Sequence, residues 1–170
     1  TIPDGVTSIE CCAFYGCENL TKITTPDSLI SFGYNAFWGT PWLTTKQEEN
    51  PLVIVNGVLI DGTTCTGSVT IPDNVTSIGE WAFFYCEKLT GITIPNSVMN
   101  IGWDAFSYCT SLTEITIPNS MTSIGMQAFY GCTNLTKITI PESVTSIESF
   151  AFEDCNNVTI YGYTGSYAET

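Results

Sequence analysis

Histidine is absent from the 170 residues, and only 4 side chains are basic against 17 acidic. The first absence removes imidazole acid–base chemistry, Ser-His and Cys-His nucleophile pairs, and imidazole metal ligation. The second leaves a net charge of −13, which excludes nucleic acid and anionic membrane, since both are bound by neutralising phosphates with Lys and Arg. Long apolar runs are also missing: Leu52-Val53-Ile54-Val55 is among the longest, so membrane insertion is not expected. With 44% hydrophobic and 12% charged residues the chain is no disordered acidic tail. It shows no initiator Met, and no signal peptide is expected within it. It opens at Thr1 in mid-pattern and is expected to be a segment of something longer.

What is present is repetition. Ile-Pro recurs at Ile2, Ile71, Ile94, Ile117 and Ile140, with Thr25-Pro26 as a weaker copy, and the spacing is 23 residues or twice that. The unit reads I-P-x-S-V-T-S-I-G-x-x-A-F-x-x-C-x-x-L-T-x-I-T, with copies starting at 2, 25, 71, 94, 117 and 140. Its apolar columns are Val6 to Val144, Ile9 to Ile147, the Ala-Phe pairs from Ala13-Phe14 to Ala151-Phe152, and Leu20 to Val158. One unit cannot bury so many apolar faces, whereas stacked units can, each row meeting its own kind in the next coil. Leu-Thr-x-Ile-Thr-Ile alternates with period two and is expected as a strand ended by proline. Val-Thr-Ser-Ile is a second short strand, and the apolar spacing of the next seven residues suits one helical or 3₁₀ turn.

One unit is hidden. Between repeat two and Ile71 stand Pro41-Trp42, Lys46-Gln47-Glu48-Glu49-Asn50-Pro51, and then two β-branched runs around Asn56-Gly57, a type I′ hairpin signal. Residues 48–70 are read as a modified, hairpin-containing coil within a single domain spanning 1–170, and 161–170 as a partial C-terminal cap.

The unit resembles the BspA-like leucine-rich repeat of the Treponema type, about 23 residues long, from Ile2 to about Tyr163. The Gly39-Thr40-Pro41-Trp42-Leu43 block with its hairpin, and the ending Ile160-Tyr161-Gly162-Tyr163, resemble variants found in that family. The resemblance implies a right-handed leucine-rich repeat solenoid of about seven coils, β-rich, with two short strands plus a helical or 3₁₀ turn per coil. It also implies a secreted or cell-surface protein of anaerobic bacteria or mucosal protists, acting in adhesion or ligand binding, with no catalytic motif to transfer.

Four groups of side chains carry chemistry. Cys17, Cys86, Cys109, Cys132 and Cys155 share unit position 16, which Thr40 fills in repeat two. A disulfide framework, a metal ladder and a stacked row of buried thiols are the three readings. The last is preferred, because a 23-residue period gives no Cys-x-x-Cys zinc spacing and free Cys behaves as a small hydrophobe. Cys11, Cys12 and Cys65 fall outside the row and are candidate exposed thiols. Asp4, Asp27, Asp73, Asn96, Asn119 and Glu142 follow the proline. They are either a Ca²⁺-binding edge or, as preferred, ordinary turn residues. No acid is expected in an apolar setting that would raise its pKa, so catalysis is not expected. Trp38, Trp42, Trp81, Trp103, Phe84, Tyr85 and Tyr108 are either a binding patch or a cover over the turn side. On the main strand face stand Lys22 and Thr24, Thr93, Glu114 and Thr116, and Lys137 and Thr139, the default ligand-facing residues of such a solenoid. Asn-x-Thr sequons at Asn19, Asn74, Asn134 and Asn157 arise from the repeat itself.

The expectation is a non-enzymatic recognition or adhesion module without cofactor or metal. Its ligand would be a protein or glycan, host-derived ones included, held by the strand-face set with Trp81 and Trp103. The alternative is a structural spacer presenting other domains of a larger surface protein. Exposed end coils at Ile2 and Tyr161 would allow end-to-end self-association.

Overall fold

The structure, a computed structural model, describes residues 1–162, so the expected cap lies almost wholly outside the described residues. In chain order the elements begin with β1 (Ser8–Ile9), β2 (Ser31–Phe32), α1 (Pro41–Glu49), β3 (Val53–Val55), β4 (Val58–Asp61) and β5 (Gly67–Thr70). They continue with β6 (Ser77–Ile78), β7 (Leu89–Thr93), β8 (Asn100–Ile101), β9 (Glu114–Thr116), β10 (Ser123–Ile124), β11 (Lys137–Thr139), β12 (Ser146–Ile147) and β13 (Thr159–Tyr161). Together they wind into a β-solenoid of about seven turns. Strands of successive coils pair in parallel one repeat apart, Ile78 opposite Ile101 and Ile101 opposite Ile124. The short strands build a six-stranded sheet, β12-β10-β8-β6-β4-β3, and the main strands a five-stranded sheet, β13-β11-β9-β7-β5. β3 and β4 pair antiparallel around Asn56-Gly57, whose φ values of 49° and 80° are those a type I′ turn requires.

The third side of each coil is not the helical or 3₁₀ turn expected. In each of the six regular coils two residues four apart take left-handed φ, such as Trp81 and Tyr85 at 58° and 56°. N–H groups then alternate in direction. Those of Trp81, Phe83 and Tyr85 donate to the carbonyls of Trp103, Ala105 and Ser107 in the next coil. Those of Ala82, Phe84 and Cys86 donate three residues back. A helix would keep every N–H within its own coil, whereas this arrangement joins neighbouring coils and satisfies the same groups.

Packing follows the columns. Phe83, Phe106, Phe129 and Phe152 stack nearly parallel at 4.9, 5.3 and 5.3 Å, and Phe14 and Phe37 at 5.5 Å. Each such pair contributes about 1 kcal/mol beyond the area it buries. At the corner after each short strand the coils approach most closely. A Cβ on Gly125 would stand 2.8 Å from the backbone of Ile101 and Gly102, which explains why four of the six copies place glycine there.

Repeat two departs from this plan. Thr40 caps α1, accepting from the Leu43 N–H at 3.1 Å, with Pro41 at the first helical position. The segment that breaks the repeat pattern in the sequence is therefore a helix, which the pattern does not predict. It stands where the main strand of that coil would lie, and it buries Trp42 and Leu43. The core is accordingly divided. Ile9, Leu29, Phe37, Trp42 and Val58 belong to one cluster, and Leu59, Ile71, Phe83 and the residues beyond to another.

Candidate functional site

The residues assigned to the strand face separate into two places. Thr93, Glu114, Thr116, Lys137 and Thr139 are exposed on the five-stranded sheet, alternating with buried Ile92, Ile115 and Ile138. Thr70, Thr93 and Thr116 form one column, while Gly91, Glu114 and Lys137 lie side by side in another. Lys137 Nζ also stands 5.1 Å from the centre of the Tyr161 ring. Lys22 and Thr24 are exposed as well but belong to no strand, because α1 occupies the strand position of the following coil.

The aromatic residues are more engaged than expected. Trp42 is not exposed: α1 turns it inward against the Phe37 ring at 4.6 Å. Trp81 is half-buried between Tyr34 at 4.6 Å and Phe84 at 4.1 Å, so both its faces are covered. Trp103 meets the edge of Tyr34 and donates its Nε1–H to Gln127 Oε1 at 3.4 Å. Phe84, Tyr85, Tyr108 and Tyr130 continue the strip along the turn side. Trp38 has no ring partner among the described residues and is 44% exposed.

The Tyr34–Trp81 contact joins residues two repeats apart, and the Tyr34 N–H donates to Glu80 Oε2 at 3.3 Å across the same gap. The turn side of the modified coil explains this. The Cys65 N–H donates to the Gly62 carbonyl as that of Cys86 does to Phe83, and the Gly62 N–H donates to Ala82 as that of Phe83 does to Ala105. Gly62 therefore occupies the phenylalanine column and Asp61 the alanine column. The Ala-Phe pair of every other coil is Asp-Gly here, and the stack lacks one ring.

Beside Asp61, a cleft of about 540 Å³ opens between the turn sides of repeat two and the repeat starting at Ile71. Asp61, Gln47, Glu80, Phe37, Trp38 and Tyr85 are among its walls. Asp61 is buried. Its Oδ1 accepts from Gln47 Nε2 at 2.9 Å and from Thr63 Oγ1 at 3.1 Å. Burial raises its pKa against the opposing effect of these hydrogen bonds, and burial does the same at Asp104, which Ser107 hydrogen-bonds. Both correct the expectation that no acid lies in an apolar setting. Asp61 escaped the sequence reading because its coil is two residues shorter between strand and cysteine, which hides the column it occupies.

The thiol row also needs correction at two positions, Cys17 and Cys65. Cys86, Cys109, Cys132 and Cys155 are buried, and the last three donate Sγ–H to carbonyls of Phe83, Phe106 and Phe129 in the coil before. Cys65, assigned to the outside, is buried in the same column, with Cys86 Sγ donating to its carbonyl. Cys17, in the first described coil, is exposed. Burial pushes the Cys65 and Cys86 thiols up to about 12 and 11. Asp4, Asp27, Asp73, Asn96, Asn119 and Glu142, after the repeat prolines, are exposed, and the N–H three positions on from each of these prolines bonds its carbonyl, as Val75 does Pro72. No group of three metal-ligating side chains occurs among the described residues. The Asn134 and Asn157 amides donate to Thr110 and Thr133 carbonyls of the preceding coil, so these sequon asparagines already have a structural use.

Comparison with known proteins agrees with this geometry. The model of the BspA type leucine rich repeat region matches residues 1–56 and 61–167 in six copies. A leucine rich cell surface protein of Faecalibacterium prausnitzii is 28% identical, with 99% of this chain and 60% of that one aligned at a TM-score of 0.63. A leucine rich repeat protein of T. pallidum is 28% identical over 93% of this chain and 54% of its own, at 0.54. One from Bacteroides ovatus is 26% identical over 95% and 49%, at 0.55. The chain thus spans about half the length of the solved relatives it matches. No curated protein matches it. Among the described residues no helix is long and apolar enough to cross a membrane.

Proposed function

Because the chain belongs to the BspA type leucine rich repeat family, we propose that it is a non-catalytic recognition module, secreted or held at the cell surface, which binds a protein or glycan ligand. The binding face is that of the five-stranded sheet, with Thr93, Glu114, Thr116, Lys137 and Thr139, and Lys22 and Thr24 lie apart from it, beyond α1. Trp81 and Trp103 line the turn side.

The observation that supports this reading is the contrast between neighbouring columns on one sheet. The inward column is Ile92, Ile115 and Ile138, fixed by packing, while in the outward column beside it Glu114 and Lys137 are exposed. Packing leaves that outward column free, so its identity is available for specificity. A flat parallel sheet of this kind also offers an extended ligand many weak contacts at once. A binding screen against host matrix proteins and immobilised glycans tests the reading. A ligand whose affinity falls by about tenfold in Glu114→Lys and Lys137→Glu is the expected result. A ligand bound equally by both variants refutes the sheet-face assignment. The absence of any ligand favours a spacer instead.

A further inference from the structure

The cleft beside Asp61 is distinct from the sheet face, and its chemistry differs. It lies on the turn side, at the seam between the two apolar clusters, and at about 540 Å³ it has the size of a small-ligand site. Trp38 and Tyr85, 44% and 52% exposed, place ring surface at its mouth, while Trp81 can present only an edge.

The charge on its walls is of one sign. Asp61 and Glu80 line it, and no Lys or Arg does. Lys46, on the adjoining helix, is paired with Glu49 at 2.6 Å. The whole chain carries −13. An anion is repelled from such a site, and a cation is drawn to it. Glu80 gives one oxygen to the Tyr34 N–H and keeps acceptor capacity for a further donor. Asp61 adds its acidic character at the back of the cleft.

We propose that the cleft captures an arginine side chain presented by a protein partner, its guanidinium lying against Trp38 and Tyr85 and donating to Glu80. Guanidinium is the cation that combines a flat, weakly hydrated face for aromatic rings with a fork of donors for a carboxylate. A neutral saccharide would use the same ring surface without the charge, and it is the rival outcome of the test.

The experiment uses the full chain labelled with ¹⁵N, following the tryptophan indole signals during titration. Nα-acetyl-arginine amide is compared with Nα-acetyl-citrulline amide, its uncharged near-isostere, and with maltose. The arginine probe is expected to give saturable shifts centred on Trp38, at least about tenfold tighter than citrulline, and weaker on going from low to about 0.2 M salt. Glu80→Gln keeps the acceptor for Tyr34 but removes the charge, and Trp38→Ala removes an exposed ring. Each should weaken the arginine probe by about fivefold or more, while Glu142→Gln, an exposed turn position, leaves it unchanged. Equal binding of citrulline, preference for maltose, or no saturable shift overturns the proposal. So does unaltered arginine binding in both cleft variants. None of these results bears on a ligand lost in the Glu114 and Lys137 exchanges, so the two readings fail separately.

Discussion

Gly62→Ala adds one methyl group where the phenylalanine stack is interrupted. The backbone there is not left-handed, so alanine would ordinarily stabilise by about 0.5 kcal/mol through reduced freedom of the unfolded chain. Space decides otherwise. The added Cβ falls against Cε1 of Phe83 and within 2.7 Å of its Cδ1 and 2.8 Å of its Cζ. The Phe83 ring cannot step back, because it is fully buried and stacked at 4.9 Å on Phe106. Overpacking of this kind costs about 1–3 kcal/mol, so the net expectation is a loss of about 1–2 kcal/mol. With a urea slope of about 2 kcal/mol per molar, the unfolding midpoint should drop by about 0.5–1 M. The same substitution in a Phe83→Leu background, where the clashing ring is gone, should cost about 1 kcal/mol less. A Gly62→Ala midpoint equal to or above the parent's, or an identical cost in both backgrounds, would show that the ring does not fill the space claimed for it.

Further expectations concern thiols, charge and backbone. Brief alkylation of the native protein, read by mass spectrometry, should label Cys11, Cys12 and Cys17 and spare the other five of the eight cysteines until denaturant is added. Rapid native labelling of Cys65 would contradict its place in the column. For Asp61, burial holds the folded pKa above the ordinary 3.8, so the native state binds the proton more tightly than the unfolded chain. Its contribution is therefore fully present below about pH 4 and is lost as pH rises through the folded pKa. Asp61→Asn, which keeps an acceptor for Gln47 and Thr63, should exceed the parent in stability at neutral pH and match it near pH 4. Urea midpoints that fall at neutral pH in the variant would refute this. Asp154 takes φ of 59° where Gly16, Gly39 and Gly131 stand in other coils. The left-handed penalty of about 1–2 kcal/mol outweighs the extra chain freedom of glycine, so Asp154→Gly should raise stability by about 0.5 kcal/mol in thermal melts.

The columns were legible because a solenoid writes its packing into the period. Ile78, Ile101 and Ile124, one repeat apart in sequence, are partners in one sheet. The Asn56-Gly57 hairpin was legible because its φ values demand those residues. Four kinds of information were not. Helix α1 was announced by Thr40-Pro41, a cap and first-turn pair, but its nine residues carry no clear apolar stripe, and only Trp42 and Leu43 are buried. Asp61-Gly62 was hidden by a change of length: Leu59 pairs with Ile78, yet Cys65 follows six residues later where Cys86 follows eight. Alignment by period alone therefore loses the column exactly once, at the cleft. Burial at the end of the array depends on a neighbour rather than on the residue, so Cys17 and Cys132, identical in unit position, differ in exposure. The aromatic strip was visible as composition, but which ring covers which, and that Tyr34 reaches Trp81 two repeats on, is a matter of side-chain direction.

The missing ring at Gly62 has a consequence for any ligand that lies along the rod. A perfectly periodic surface offers the same contacts every coil, about 4.8 Å apart, so a long partner has several equivalent poses and no preferred one. The Asp-Gly substitution and the helix before it break that translational degeneracy at a single place. They give the threonine columns an origin from which position along the rod is counted, so a partner gripping both the cleft and the sheet would dock in one register only.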